Sequence, residues 1–212
     1  MNNRHTDKKT GGTGCLGAVI VGVPLALAFL VIFVWAWIGF NRMVSKEESV
    51  HAQWAQVENT YQRRADLIEN LVETVKGYMS HEYKTLTEVT EARAKATSLQ
   101  ITTDNLSEEA IQQFETMHNG LNTAFGRLLG LIERYPDLKA DRGFLRMQNQ
   151  LESIENTILI ERSAYNEVAR NYNTYIRKFP INVFASVFRF DGKGYFTAKE
   201  GSDVVPEVDF SE

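Results

Sequence analysis

The feature that most constrains this chain is Cys15–Phe40 (CLGAVIVGVPLALAFLVIFVWAWIGF), a run of 26 residues without a single charge. As a tilted helix rising about 1.5 Å per residue it is long enough to cross a hydrocarbon core of about 30 Å. Pro24 is tolerated in such a helix, and Trp35 and Trp37 stand where an interfacial aromatic belt would hold its distal end. The competing reading is a cleaved signal peptide, because Arg4, Lys8 and Lys9 precede the run. Signal cores span about 7–15 residues and end at a small-residue cleavage site. Trp35-Ala36-Trp37-Ile38 offers no such site. The expected layout is a polar tail over residues 1–15 and a transmembrane helix over 16–40 that meets membrane lipid.

Cys15 is the sole cysteine, which excludes an intrachain disulfide or a cysteine-based metal cluster. A lipoprotein cysteine would follow the apolar run, whereas Cys15 begins it. For orientation, Arg4, Lys8 and Lys9 face Arg42 and Lys46 across the span. By the positive-inside rule the balance leans, by one charge, towards an extracytoplasmic body. The net charge of −4, from 23 basic and 27 acidic side chains mixed along the chain, leaves no basic footprint for nucleic acid.

Periodicity assigns the body to an all-α class. No proline interrupts residues 42–135. Over that stretch Trp54, Tyr61, Ile68, Val75, Val89 and Ala96 recur at multiples of seven, with Val57, Leu71, Tyr78, Ala92 and Leu99 beside them. The pattern predicts one amphipathic helix from about 43 to 99, with Gly77 its weak point. Gln100–Asn105 breaks the pattern. Ser107 is a plausible N-cap for a second helix over about 107–135, with Glu108 and Glu109 against the positive end of its dipole. Its seam is Ile111, Phe114, His118, Leu121, Phe125, Leu128 and Ile132. Tyr135, Pro136 and Asp137 open a turn. A third helix, about 141–179, carries Phe144, Met147, Leu151, Ile154, Ile158, Tyr165, Val168, Tyr172, Tyr175 and Phe179. Threes and fours sustained this far predict an antiparallel bundle of long helices over 42–179, packed like a coiled coil. Residues 180–212, a short helix and extended tail, are expected to pack on it.

Trp54-Ala55-Gln56-Val57 is followed by Arg63-Arg64-Ala65-Asp66-Leu67-Ile68-Glu69-Asn70-Leu71-Val72 and by Thr90-Glu91-Ala92-Arg93-Ala94. Together with Tyr135-Pro136-Asp137-Leu138, Glu155-Asn156-Thr157-Ile158, Arg162, Tyr165-Asn166, Tyr172-Asn173, Phe179-Pro180 and Pro206-Glu207-Val208-Asp209-Phe210, these motifs resemble the LemA family. The resemblance runs from the anchor to the C-terminus. It implies a bacterial single-pass protein of the cell membrane with an antiparallel helical bundle and no established enzymatic activity. It also implies a short N-terminus outside the cell, opposite to the charge balance. Relatives often carry proline where this chain has Glu69, so a kink there is not expected.

Candidate chemistry is sparse. Two Glu-x-x-His units, Glu48 to His51 and Glu115 to His118, are the type that di-iron bundles use in pairs. Folding back near residue 103 would set His118 opposite residue 88 and His51 about 55 Å away, so no metal or other cofactor is expected and His118 reads as a core histidine. Arg63, Arg64 and Asp66 suit a phosphate or lipid headgroup, or a polar layer in which Arg64 meets Glu161 or Glu155 and sets register. Arg162, Asn156 and Asn70 belong to the same structural argument. Unequal helix lengths predict a stalk over 42–70 whose stripe, anchored by Trp54, Val57 and Tyr61, needs cover from a second copy, another envelope protein or the C-terminal segment. Residues 181–190 read either as a helix capping the bundle, through Ile181, Phe184, Ala185 and Phe188, or as an interfacial element. The function expected is a non-enzymatic scaffold or interaction module at the membrane, with a small-ligand or metal-binding sensor as the alternative.

Overall fold

The computed structural model describes residues 13–79, 81–99 and 101–197, with side chains from Gly22 onward apart from that of Asp104. Of the polar tail expected over residues 1–15, residues 1–12 lie outside the described residues, as does the extended tail from residue 198 on. Helix α1 (Thr13–Lys76) carries both the apolar run and the first wall of the bundle without a break, with Pro24 inside it. It is followed by α2 (Tyr83–Ser98), a 3-10 turn (Thr103–Asn105), α3 (Glu108–Ile132), α4 (Pro136–Lys139), α5 (Arg142–Arg177) and α6 (Ile181–Phe188). Residues 189–197 then run on without helix, and no strand occurs among the described residues. The chain is all-α, as its periodicity predicts.

The expected helix over 43–99 is two helices. Lys76 ends α1 with a cation at the negative end of the dipole, and Gly77 follows. The amides of Tyr78 and Met79 both turn back to the Val75 carbonyl at 3.0 Å. Helical glycine costs about 1 kcal/mol relative to alanine, and one heptad after Val75 the seam carries the charged Glu82. Glu82 accepts from the Tyr135 hydroxyl at 3.2 Å and faces Arg134 at 3.6 Å. A charged residue in the seam beside a glycine marks a turn that the count of sevens passes over. Helix α1 continues through Glu69, which pairs with Arg93 of α2 at 2.6 Å.

The later boundaries follow their caps. The Ser107 side chain accepts from the Ala110 amide at 3.2 Å and opens α3. Asp141 accepts from the amides of Gly143 and Phe144 at 2.8 and 2.9 Å and opens α5. Pro136 occupies the first turn of α4, where its missing N–H costs nothing. Pairings set the directions. Trp54 meets Phe114 and Tyr61 meets His118, so α1 and α3 run parallel. Arg64 meets Glu155 and Gln53 meets Glu161, so α5 runs antiparallel to α1. Helices α1, α2, α3 and α5 therefore pass up, down, up and down.

This topology removes the expected stalk. Because the first turn falls at 77–82 instead of near 103, α5 reaches back along α1 as far as Gly39, whose carbonyl accepts from the Tyr175 hydroxyl at 3.5 Å. Two cores stack along the axis. The one nearer the apolar run holds Met43, Val50, Trp54, Val57, Tyr61, Phe114, Tyr165, Tyr172 and Phe196. The farther one is mostly aliphatic, with Leu71, Val75, Leu86, Val89, Leu121, Leu128 and Leu138.

Candidate functional site

Trp54, Val57 and Tyr61, expected as anchors for a partner, are instead buried in this chain's own core. The Trp54 ring stacks on Phe196 at 5.9 Å and meets Phe114 and Tyr165 edge-on at 5.1 and 5.5 Å. The stripe is covered by α3, α5 and the extended strap of residues 189–197, the last of the three covers that the sequence left open.

Arg64 is 1 % exposed and lies in the polar layer expected for it. Its Nη1 donates to Glu155 at 3.0 Å, and its guanidinium sits 4.9 Å from the Tyr61 ring centroid. The Arg64 Nε and Nη2 atoms are buried without a hydrogen-bond partner. Such a buried charge constrains register more than it stabilises. Beside it, His118 packs between Tyr61 and Phe114 at 4.5 and 4.4 Å. Burial, reinforced by the Arg64 charge, pushes its imidazole down to about 4, so His118 is neutral at physiological pH. Burial likewise raises the Tyr61 phenol, with Arg162 and Arg64 pulling the other way.

The Glu-x-x-His units do not converge. Glu115 pairs with Arg162, and His118 packs against Tyr61, ten residues along α1 from His51. That separation is about 15 Å along the axis, not the 55 Å expected from a turn near residue 103. Among the described residues no three His, Cys, Asp or Glu side chains are grouped to hold a metal.

Arg63, Asp66 and Asn70 are exposed on α1, and Asp66 accepts from Gln62 at 2.8 Å and from Arg93 at 3.3 Å. Asn156 is also exposed, which corrects its expected inward position: it follows Glu155, whose side chain only reaches in from the surface to meet Arg64. Arg162 does point inward, half-buried over the Phe196 ring at 4.8 Å, and donates to the Thr197 carbonyl at 3.0 Å. Tyr135, Pro136 and Asp137 build the turn into α4, as their sequence suggests.

What the sequence reading missed is the clamp on the strap. Asn173 donates to the Lys193 carbonyl at 2.7 Å and accepts from the Lys193 amide at 2.8 Å. One heptad earlier, Asn166 does the same to Phe196 at 2.8 and 2.9 Å. Each asparagine thus satisfies both backbone groups of one strap residue, as a neighbouring strand would. Tyr172 and Tyr165 donate to the carbonyls of Asp191 and Gly194 at 3.0 and 3.3 Å. Burial raises both phenols, with Glu47 and Asp191 adding to the shift at Tyr172 and Tyr195 at Tyr165, so both hydroxyls keep their protons. The buried Lys193 ammonium meets Glu47 of α1 at 2.8 Å. The Gly194 amide donates to the Leu106 carbonyl at 2.8 Å, and a Cβ there would lie 2.6 Å from Glu108 Cα, so only glycine fits. The one available signal was the repeated Tyr-Asn pair at 165–166 and 172–173, seven residues apart.

These features define a class: a helical bundle built directly onto one helix whose N-terminal apolar stretch is long enough to cross a membrane and is almost uncovered by the described residues. The LemA family profile matches residues 53–210, and the chain belongs to that family. It is similar to Protein LemA of Metamycoplasma hominis, 26% identical over 183 residues, covering 85% of this chain and 78% of the relative. It is also similar to Magnetosome protein MamQ 2 of Paramagnetospirillum magneticum, 23% identical over 218 residues, covering 94% and 78%. Magnetosome protein MamQ of Magnetospirillum gryphiswaldense is 24% identical over 213 residues, covering 88% and 78%.

Proposed function

We propose that this chain is a non-enzymatic, single-pass scaffold that presents a rigid helical bundle at the bacterial cell membrane to copies of itself or to other envelope proteins. One observation carries the reading. Helix α1 passes from the apolar run into the bundle core with no linker, so the body is held at a set angle and height relative to the span. A body joined by a flexible tether would float free; this one is a post. The interior charges support a structural role, since Arg64 pairs with Glu155, Arg162 with Glu115 and Lys193 with Glu47. The surface offers docking material instead, with Leu159 and Ile160 side by side and exposed on α5 and Arg63 exposed on α1.

The test is photocrosslinking in native membranes from a reactive residue placed at Leu159, Ile160 or Arg63. Adducts to a second copy or to another membrane protein are expected. A profile with only the uncrosslinked monomer at all three sites overturns the scaffold reading.

A further inference from the structure

Helix α6 (INVFASVF) bears no charge and buries only Ile181 and Ala185. Its outer face is left bare: Val183, Phe188 and especially Val187, 71 % exposed, with Phe179 just before it at 83 %. Among the described residues nothing covers Phe179, Val183 or Val187, and the position of this patch in the fold indicates what does. Helix α6 is seated on the end of the apolar run. The Phe184 ring lies 6.0 Å from Trp35, and Phe188 and Phe190 lie 5.1 and 5.7 Å from Phe40. Ile181 packs over Gly39, its Cδ1 only 2.8 Å from where a Cβ on that glycine would stand.

The level of that contact is set by length. The 26 residues of the run span about 39 Å as a helix, roughly 9 Å more than the hydrocarbon thickness. For a helix close to the bilayer normal that excess is about six residues, and Trp35 and Trp37 assign it to the distal end, which brings Trp35–Phe40 into the headgroup layer. The segment that α6 grips is therefore the one leaving the bilayer. Between them lies an open apolar cleft of about 440 Å³, walled by Phe33, Trp37 and Phe40 on α1 and by Phe184 and Phe188 on α6. Exposed Arg177, Lys178 and Arg189 flank α6, and exposed Arg42 lies two residues past Phe40. Apolar side chains towards acyl chains with cations at headgroup height are the signature of a helix lying in an interface.

We propose that α6 lies in the headgroup layer of the bilayer, its Phe179, Val183, Val187 and Phe188 face in lipid, clasping α1 where it emerges. The proposal rests on the reading that residues 16–40 span the membrane. It converts the anchor from a single rod, free to tilt and rotate, into a rod with a foot. The bundle is then held upright by two contacts with the same lipid surface.

Full-length protein is reconstituted into phosphatidylcholine vesicles containing a minority of phosphatidylglycerol. In a Cys15→Ser background it carries a nitroxide on one introduced cysteine: Val183→Cys, Val187→Cys, Val31→Cys within the run, or Lys84→Cys at the far end of the bundle. Both α6 positions are exposed, so the substitutions leave the core intact. Collision rates with oxygen and with a water-soluble nickel complex are compared by electron paramagnetic resonance. An oxygen-to-nickel ratio at Val183 and Val187 several-fold above that of Lys84, and below that of Val31, is expected. Val31 immersed with Val183 and Val187 reading like Lys84 overturns the interfacial assignment alone. Shielding of both α6 sites from both reagents makes the occupant a protein surface, which also overturns it. A Val31 label that reads as aqueous removes the membrane-spanning reading and the foot together.

Discussion

The two halves of the bundle reach the same end by different means. In the half far from the apolar run, four helices enclose Leu71, Val75, Leu86, Val89, Leu121 and Leu128, and neighbours in the packing lie at helical spacings that the chain repeats. In the near half α2 is absent, since it stops at Ser98. The gap is filled by Phe196 and the strap, and the core turns aromatic. A strap without helical hydrogen bonds must find partners for its backbone groups when buried. Asn166, Asn173, Tyr165 and Tyr172 supply them. The far half is held by periodic burial, and the near half by burial together with a set of long-range clamps that all have to be present.

That contrast can be broken, and the largest effect should come from Trp54→Ala. Loss of a fully packed tryptophan costs about 3–5 kcal/mol, read as a lower unfolding midpoint in detergent. The sharper readout is hydrogen exchange: Trp54→Ala should release the amides of residues 191–197, whereas Leu128→Ala, of similar cost in the far core, should leave them protected. Equal release by both would mean that the halves are one cooperative unit.

Asn173→Leu comes next. It orphans the amide and the carbonyl of buried Lys193 at about 1–3 kcal/mol each. Exchange should rise around Lys193 with far-core amides unchanged. An unaltered exchange pattern would show that the strap is held by Phe196 packing alone.

His118 tests the boundary between the halves through pH. Its folded-state value is held down at about 4, against 6.5 for the free group. Between these values the unfolded chain binds a proton that the folded chain refuses. The neutral form's contribution is therefore complete above about pH 6.5 and declines as the pH falls towards 4. At pH 5 the loss is on the order of 2 kcal/mol. His118→Phe should flatten this part of the stability profile, and a slope unchanged by the substitution would reject the assignment. The smallest effect belongs to Arg127→Ala in the far half. Its 3.5 Å pair with Glu88 is solvent-exposed, and the substitution should move the unfolding midpoint by less than about 0.5 kcal/mol.

Much of this was legible in the residues. Seam residues Ile111, Phe114, Leu121 and Leu128 marked α3, and Ser107 and Asp141 marked the starts of α3 and α5. Arg64 was expected opposite Glu161 or Glu155, because an arginine within an apolar seam needs a carboxylate; it meets Glu155, while Glu161 accepts from Gln53. The turn at 77–82 was hidden because Val75, Glu82 and Val89 keep the heptad count through it, and a turn that preserves phase leaves no trace in periodicity. Misplacing it displaced everything downstream, including the height of His118 and the stalk. The strap was hidden for another reason: Asn166 and Asn173 act on backbone groups, and backbone groups carry no signature in a sequence.

The sequence by itself determined the apolar span, the helical class and the family, since each is a matter of local composition and spacing along one chain. Only the tertiary structure decided that Trp54 and Tyr61 face inward, that residues 189–197 close the near half, and that α6 sits on the emerging end of α1. Those outcomes depend on which residues meet across distances of 100 or so positions, as Gln53 and Glu161 do, 108 apart. Where a chain turns back, rather than what it is made of, selects such meetings.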